Sequence, residues 1–307
     1  MNVPREVYGM PKQMSRRELL ACTMVLLPAV WMSPGYLRSM GDTGKAEEEI
    51  AAIETHLGGR LGVAALDMGS GWRIEHRADE RFPMCSTFKF LLAATILTRV
   101  DQNKDKLGRV IRYGQADLLE YAPITKAHVQ EGGMTIAALC AAAMEYSDNA
   151  AANLLLNVVG GPGEVTAYAR SLGDPVTRLD RNEPTLNTAI PGDERDTTTP
   201  AAMLEDMKEV LVEKKALSEA SRKQLIEWMV ENTTGQQRLR AGVPSSWRVG
   251  DKTGTGRNGA TNDIATAWPP NREPILVTAY FVGSNASYEN RDASLANVGR
   301  IVAAQFA

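Results

Sequence analysis

The chain has 307 residues, of which 44% are hydrophobic, 23% charged and 6% aromatic, and its formal net charge is −3. These values exclude collagen-like, coiled-coil and disordered chains, and a near-neutral balance without a basic block gives nucleic acid no electrostatic foothold. Three cysteines (Cys22, Cys85, Cys140) and three histidines (His56, His76, His128), with no CxxC, HxxxH or HExxH spacing, leave almost no material for a metal site.

At the amino terminus, Ser15-Arg16-Arg17-Glu18-Leu19-Leu20 matches the twin-arginine export pattern and leads into about 14 moderately apolar residues ending at Met32. Pro28 interrupts that run, which is shorter than the roughly 20 residues needed to cross a bilayer. Residues 1–40 are therefore expected to be a removable export signal rather than an anchor. Leu19-Leu20-Ala21-Cys22 imitates a lipoprotein cleavage box, but too little apolar sequence precedes the cysteine. The first 40 residues hold five of the 34 basic and two of the 37 acidic residues, so residues 41–307 carry −6. The expected mature form is a mildly acidic soluble globule, periplasmic or secreted and free of membrane. Cys85 and Cys140 are read as buried free thiols, the latter in the Ala-rich helical run Ile136 to Met144.

Glu47 to Leu57 has a helical apolar repeat at Ile50, Ile53 and Leu57. Leu61 to Asp67 and Trp72 to His76 flank Met68-Gly69-Ser70-Gly71 and read as two strands joined by a tight turn. From Ser86 the pattern is helical, with breaks at Gly132-Gly133, Gly160-Gly161-Pro162-Gly163 and Gly173-Asp174-Pro175. Helices are expected at Ala201 to Lys214 and Ser218 to Glu231, strands at Trp247 to Thr253, Asp263 to Trp268 and Ile275 to Val282, and a closing helix at Leu295 to Phe306. Strands at both ends with helices between them predict an α/β fold of the α+β type, with one sheet assembled from distant segments. Residues 41–85 and 230–307 would form the α/β lobe and residues 86–229 an inserted all-helical lobe, with a cleft between them as the place for a site. Within the helical lobe, 177–197 is polar and lacks apolar periodicity, which predicts a surface loop.

Three short motifs carry chemistry. In Ser86-Thr87-Phe88-Lys89 the hydroxyl and the ammonium fall on one helical face, beside unpaired N–H groups that favour a developing anion. The pair supplies a nucleophile and a proton acceptor without histidine, and the chain has no G-x-S-x-G turn that would call for one. Roughly one S-x-x-K match is expected by chance in such a chain, and a serine N-cap with a surface lysine would explain it equally well. Ser147-Asp148-Asn149 interrupts two helical runs, either as a cap cluster or as a hydroxyl and an amide presented into the cleft. Lys252-Thr253-Gly254 ends a predicted strand, where Gly254 and Gly256 would let the backbone approach a ligand. All three in this order are poorly explained by coincidence.

Together these residues resemble the active-site serine β-lactamases and penicillin-binding proteins. The resemblance is greatest to class A β-lactamases and runs from about residue 45 to the end. Phe82 to Lys89 is similar to the family's nucleophile segment, Tyr121 to the aromatic residue of one cleft wall, and Val249 to Gly256 to the opposite wall. Arg181-Asn182-Glu183-Pro184-Thr185-Leu186-Asn187 matches the R-x-E-P-x-L-N omega loop that distinguishes class A, and Arg181 and Asp196 match the pair clamping its neck.

The resemblance implies a five-stranded antiparallel sheet flanked by helices, a cis Glu183-Pro184 bond, no cofactor, a monomer, and β-lactam substrates. Ser86 would attack the lactam carbonyl, with the backbone N–H groups of Ser86 and Thr255 holding the oxyanion. Lys89 and Glu183 are both candidates to take the serine proton. Ser147 would protonate the leaving nitrogen, and Lys252 would hold the positive potential of the cleft. Glu183 and Asn187 would position the hydrolytic water, Asn149 would bind the substrate's side-chain amide, and Thr253 its carboxylate. The arginine that many members place just after the K-[ST]-G strand is missing from Gly259-Ala260-Thr261-Asn262. Arg238 resembles an alternative arginine of another subset, which includes carbapenem-hydrolysing members, and Thr255 looks like that subset too. Those members bridge the cysteine before the nucleophile to a second cysteine, whose matching position here is Gly256. The alternatives are a penicillin-binding D-alanyl-D-alanine peptidase, which should lack the E-P-x-L-N loop, and a β-lactam sensor that acylates and stops.

Overall fold

The computed structural model describes residues 34–213 and 215–307, with side chains from residue 43 onward. The twin-arginine pattern and its apolar run lie outside the described residues. In chain order the elements are α1 (Pro34–Leu57), β1 (Arg60–Asp67), β2 (Arg73–His76), β3 (Phe82–Pro83), α2 (Phe88–Asp101), β4 (Val110–Arg112), α3 (Pro123–His128), β5 (Gly133–Thr135), α4 (Ile136–Glu145) and α5 (Asn149–Val159). They continue with α6 (Pro162–Leu172), β6 (Thr197–Thr198), α7 (Pro200–Leu211), α8 (Glu219–Val230), α9 (Leu239–Gly242), β7 (Arg248–Thr255), β8 (Thr261–Trp268), β9 (Ile275–Val282) and α10 (Tyr288–Phe306). Helix α1 thus starts inside the stretch expected to be signal. Among the described residues no helix is long and apolar enough to cross a membrane.

The main sheet has the order β2-β1-β9-β8-β7, and every pairing is antiparallel. Successive strand side chains point to opposite faces, and here both faces are covered. Leu61, Val63, Ala65, Val277, Ala279 and Phe281 pack with Ile50 of α1 and Leu295, Val298 and Val302 of α10. Leu66, Ile264, Leu276 and Tyr280 join the core of the central helices, in which Phe88–Leu97 of α2 is buried throughout. That explains the continuous apolar character of Ile275 to Val282.

Side-chain oxygens of Thr135, Asp148, Thr199, Ser218 and Ser287 cap the helices that follow them. Gly160 and Gly173 end α5 and α6 in the left-handed conformation, where the Gly/Pro clusters predicted breaks. The stretch read as all-helical also contains strands: β4 pairs with β5, and β6 pairs with β3. At two or three residues these ladders are too short to show alternation.

Glu54 fastens α1 to the sheet. It accepts hydrogen bonds from Leu61 N (2.9 Å) and from Arg77 Nε and Nη2 (2.7 and 2.8 Å), and lies 3.3 Å from His76 Nε2. Burial alone would raise its carboxyl, but the hydrogen bonds from Arg77, Leu61 and His76 bring it down to about 2. A carboxylate with a depressed folded pKa stabilises above its unfolded pKa and loses that contribution as pH falls toward the folded value. Glu54→Gln should therefore unfold more easily in urea at pH 7, by about 1 kcal/mol given the screened Arg77. The gap to the unmodified chain should close between about pH 4.5 and pH 2, and a gap unchanged at pH 2 would contradict this account.

Candidate active site

Ser86 lies in a 3-10 turn, Cys85–Thr87, immediately before α2. Cys85 is held at φ 45°, and Thr87 N and Oγ1 both donate to the Met84 carbonyl. Ser86 makes no side-chain cap bond, so the N-cap explanation fails. Its Oγ instead accepts from Lys89 Nζ at 3.0 Å and lies 3.3 Å from Glu183 Oε1.

Lys89 is on the buried face of an otherwise apolar helix. Its ammonium donates to the Ser147 carbonyl (2.8 Å) and Asn149 Oδ1 (2.7 Å), more weakly to Ser147 Oγ (3.4 Å), and pairs with Glu183 Oε1 at 3.2 Å. Neither side chain of that pair has any solvent exposure. Burial lowers the Lys89 pKa, and the Glu183 charge opposes the fall. Lys252, also fully buried, donates to Ser147 Oγ at 3.0 Å and to the Thr253 carbonyl at 2.9 Å. Burial and then the Lys89 charge push its ammonium well below the ordinary lysine range. Ser147 thus sits between two lysines, at φ 57°. Asp148 beside it is the cap residue: it accepts from Ala151 N, Ile124 N, Thr125 N and Thr125 Oγ1, tying α3 to α5. Both readings of Ser147-Asp148-Asn149 hold, divided among its members.

Glu183 is reached by the loop 177–197, whose one regular turn is Thr185–Thr188. The Glu183–Pro184 bond is cis. Asp196 clamps the neck, accepting from Arg181 Nε and from the backbone N–H groups of Asp180 and Arg181. Asn153 of α5 fixes the Glu183 backbone, accepting from its N–H and donating to its carbonyl, both at 2.9 Å. Asn187 Nδ2 donates to Glu183 Oε2 at 2.5 Å. Each carboxylate oxygen therefore has a separate task, one toward Ser86 and Lys89 and one toward Asn187.

Above these buried groups opens a cavity of about 520 Å3. Of the residues expected from the sequence, Ser86, Tyr121, Ser147, Asn149, Asn187, Arg238, Thr253 and Thr255 line it, while Lys89, Glu183 and Lys252 lie beneath. Tyr121 is half exposed on one wall, its hydroxyl donating to the Tyr146 carbonyl. Gly254 does not line the cavity. A Cβ there would stand 2.7 Å from the Met84 carbonyl, and one at Gly256 would stand 2.6 Å from Cys85 Sγ. These glycines admit the nucleophile's own turn rather than a ligand. Cys85 and Cys140 are buried free thiols, and burial raises both.

Arg238 is 1% exposed, which overturns any view of it as a solvated surface residue. It pairs with Asp292 (2.8 Å), donates to the carbonyls of Gly254 and Asn262, and reaches Thr255 Oγ1 at 2.8 Å and Tyr288 Oη at 3.1 Å. Sequence reasoning missed Thr234 and Tyr288 on the cavity wall, and Asn153 and Asp292 behind it. Thr234 Oγ1 lies 2.5 Å from Thr253 Oγ1. Asn153 carried a usable signal, since it is an amide within the apolar run Ala150 to Leu156.

A buried lysine and a buried carboxylate flanking one serine hydroxyl define a serine acyl-transfer site that works without histidine. Residues 45–306 match the model of the beta-lactamase enzyme family. The chain is 48% identical over 260 residues to beta-lactamase OXY-2 of Klebsiella oxytoca, covering 85% of this chain and 89% of that protein. It is 47% identical over 293 residues to beta-lactamase Toho-1 of Escherichia coli, covering 95% and 99%. An ancestral class A beta-lactamase of Gram-negative bacteria superposes with a TM-score of 0.82 at 59% identity, over 84% of this chain and 98% of that one. The chain belongs to the class A serine β-lactamase family.

Removing one partner of a buried ion pair strands the other charge. Arg238→Ala should cost about 3–5 kcal/mol in urea unfolding. Arg238→Ala with Asp292→Ala should cost less than the sum of the two single changes, by about 1–3 kcal/mol. Simple additivity would show that the pair is not coupled.

Proposed function

We propose that this chain hydrolyses the β-lactam amide bond of penicillins and cephalosporins through an acyl-enzyme on Ser86. The observation that carries the reading is the placement of Ser86 Oγ within 3.3 Å of both Lys89 Nζ and Glu183 Oε1, with Asn187 on the second carboxylate oxygen. In acylation, Ser86 Oγ attacks the lactam carbonyl carbon and its proton passes to the Lys89–Glu183 pair, whose members lie 3.2 Å apart. The backbone N–H groups of Ser86 and Thr255 hold the oxyanion. As the C–N bond breaks, the leaving nitrogen takes a proton through Ser147, which both lysines contact. A water held by Glu183 and Asn187 then gives a proton to Glu183 and attacks the ester carbonyl, and Ser86 recovers its proton as the acid leaves.

Asn149 takes the side-chain amide of the substrate. Thr253 takes its carboxylate, with Arg238 holding Thr255 beside it, and Tyr121 closes the opposite wall. Residues 41–85 with 230–307 act as the α/β lobe, and residues 86–229 as the helical lobe that carries the omega loop. The twin-arginine pattern in residues 15–20 supports export to the periplasm or beyond, and the working form is read as a monomer.

Repeated turnover of a chromogenic cephalosporin separates this reading from a peptidase, which turns over slowly, and from a sensor, which gives one stoichiometric burst. Glu183→Ala should lose roughly 10²–10⁴-fold in kcat and accumulate a covalent adduct visible by intact mass, absent in Ser86→Ala. Rapid multiple turnover by Glu183→Ala would falsify the assignment of Glu183.

A further inference from the structure

Asn187 lines the cavity of Ser86, whereas its neighbours Leu186 and Ala189 line a second and larger cavity of about 780 Å3. The other walls of the second cavity come from the approach to the nucleophile turn, at Arg81 and Pro83, and from the sheet ends at Arg60 and Val282. Its interior is in good part apolar. Ile190, at 51% exposure, is one of only two large aliphatic side chains left exposed among the described residues, and it stands at this cavity beside Pro191.

The rim is rich in arginine, and three of the four guanidinium groups are already matched. Arg60 pairs with Glu80 at 2.7 Å, Arg195 with Asp193 at 2.8 Å, and Arg181 with Asp196. Arg81 is different. Its Nη1 donates to the Val176 carbonyl and to Thr197 Oγ1, both at 3.0 Å, and no carboxylate among the described residues comes within ion-pair distance. Its Nε and Nη2 have no protein partner and are not sealed from solvent. A half-buried guanidinium with a free pair of N–H groups beside an apolar floor suits a planar carboxylate bearing an apolar body.

We propose that this cavity binds a small amphipathic carboxylate, an aryl or alkyl acid whose charge meets Arg81 and whose apolar part lies on Ile190, Leu186 and Pro83. The site is separate from the β-lactam cavity and does not depend on the reaction assigned to it.

Calorimetric titration of the full chain with 2-naphthoate tests the proposal, with two variants that leave the reacting groups untouched. Saturable binding is expected, weakened roughly tenfold or more in Arg81→Ala through loss of the charged hydrogen bonds. Ile190→Asp should weaken it similarly, and as a change at an exposed position it keeps the test valid if Arg81→Ala folds poorly. Absence of saturable binding at millimolar probe, or undiminished binding in Ile190→Asp, overturns the proposal. So does binding that survives Arg81→Ala but is lost in Thr253→Ala, because that places the acid in the Ser86 cavity.

Discussion

The site depends on one costly arrangement: the ammonium of Lys89 is held out of water. Taking a cation into the protein interior costs several kcal/mol unless good partners replace its hydration. Lys89 finds them in the Ser147 carbonyl, Asn149 Oδ1 and Glu183 Oε1. Those partners come from the stretch joining α4 to the first residue of α5 and from the loop 177–197, so burying one lysine of α2 requires two distant segments to converge on it. The geometry around Ser86 follows from that convergence. Asn153 bonds the Glu183 backbone from one more turn along α5, so a single helix positions both the lysine's acceptor and the carboxylate's backbone.

A second buried lysine would be expected to disrupt such a site, since like charges at short range repel. Lys252 is nevertheless placed against the same Ser147 hydroxyl. Burial and the neighbouring charge both push its ammonium down, toward a state in which it shares a proton more readily. On the far side, burial and then the Asp251 charge push Asp263 well above the usual carboxylate range, while Asp251 itself is held by Arg240 and Asn232. A buried lysine pushed down in this way, in contact with the Ser147 hydroxyl, is suited to passing a proton through it. In the proposed reaction that is the work of Ser147.

The short motifs were legible because chemistry constrains residue type and spacing together. S-x-x-K places a hydroxyl and an amine one helical turn apart wherever it occurs, and R-x-E-P-x-L-N specifies both the carboxylate and its amide partner. The five strands of the main sheet were legible from apolar runs and turns, although β8 and α10 begin earlier than the pattern showed. The β4–β5 and β3–β6 ladders were not, because two or three residues carry no period. Arg238 was found, but its burial was not, since nothing local to it announces Asp292 some fifty residues later. Tyr288 and Thr234 have the same character: they belong to the site only because α9 and α10 fold back against β7 and β8. Gly254 and Gly256 were expected to admit a ligand, whereas the group packed against them is the nucleophile's turn, a tertiary fact with no sequence signature.

That close approach bears on how the cavity opens. Strand β7 is an edge strand, and an exposed edge presents unpaired backbone groups that invite another strand. Here the nucleophile's turn lies against one face of that strand. The Met84 carbonyl and Cys85 come against Gly254 and Gly256, and Asn262 Nδ2 fastens the same turn through the carbonyls of Pro83 and Met84. Any side chain at 254 would drive the turn away and carry Ser86 with it. Thr253 and Thr255, on either side of Gly254, face the cavity. The glycines therefore fix the distance from strand to nucleophile, while the threonines beside them line the cavity. The outermost strand of the sheet thus supplies one wall of the cavity, at a distance from Ser86 set by its glycines.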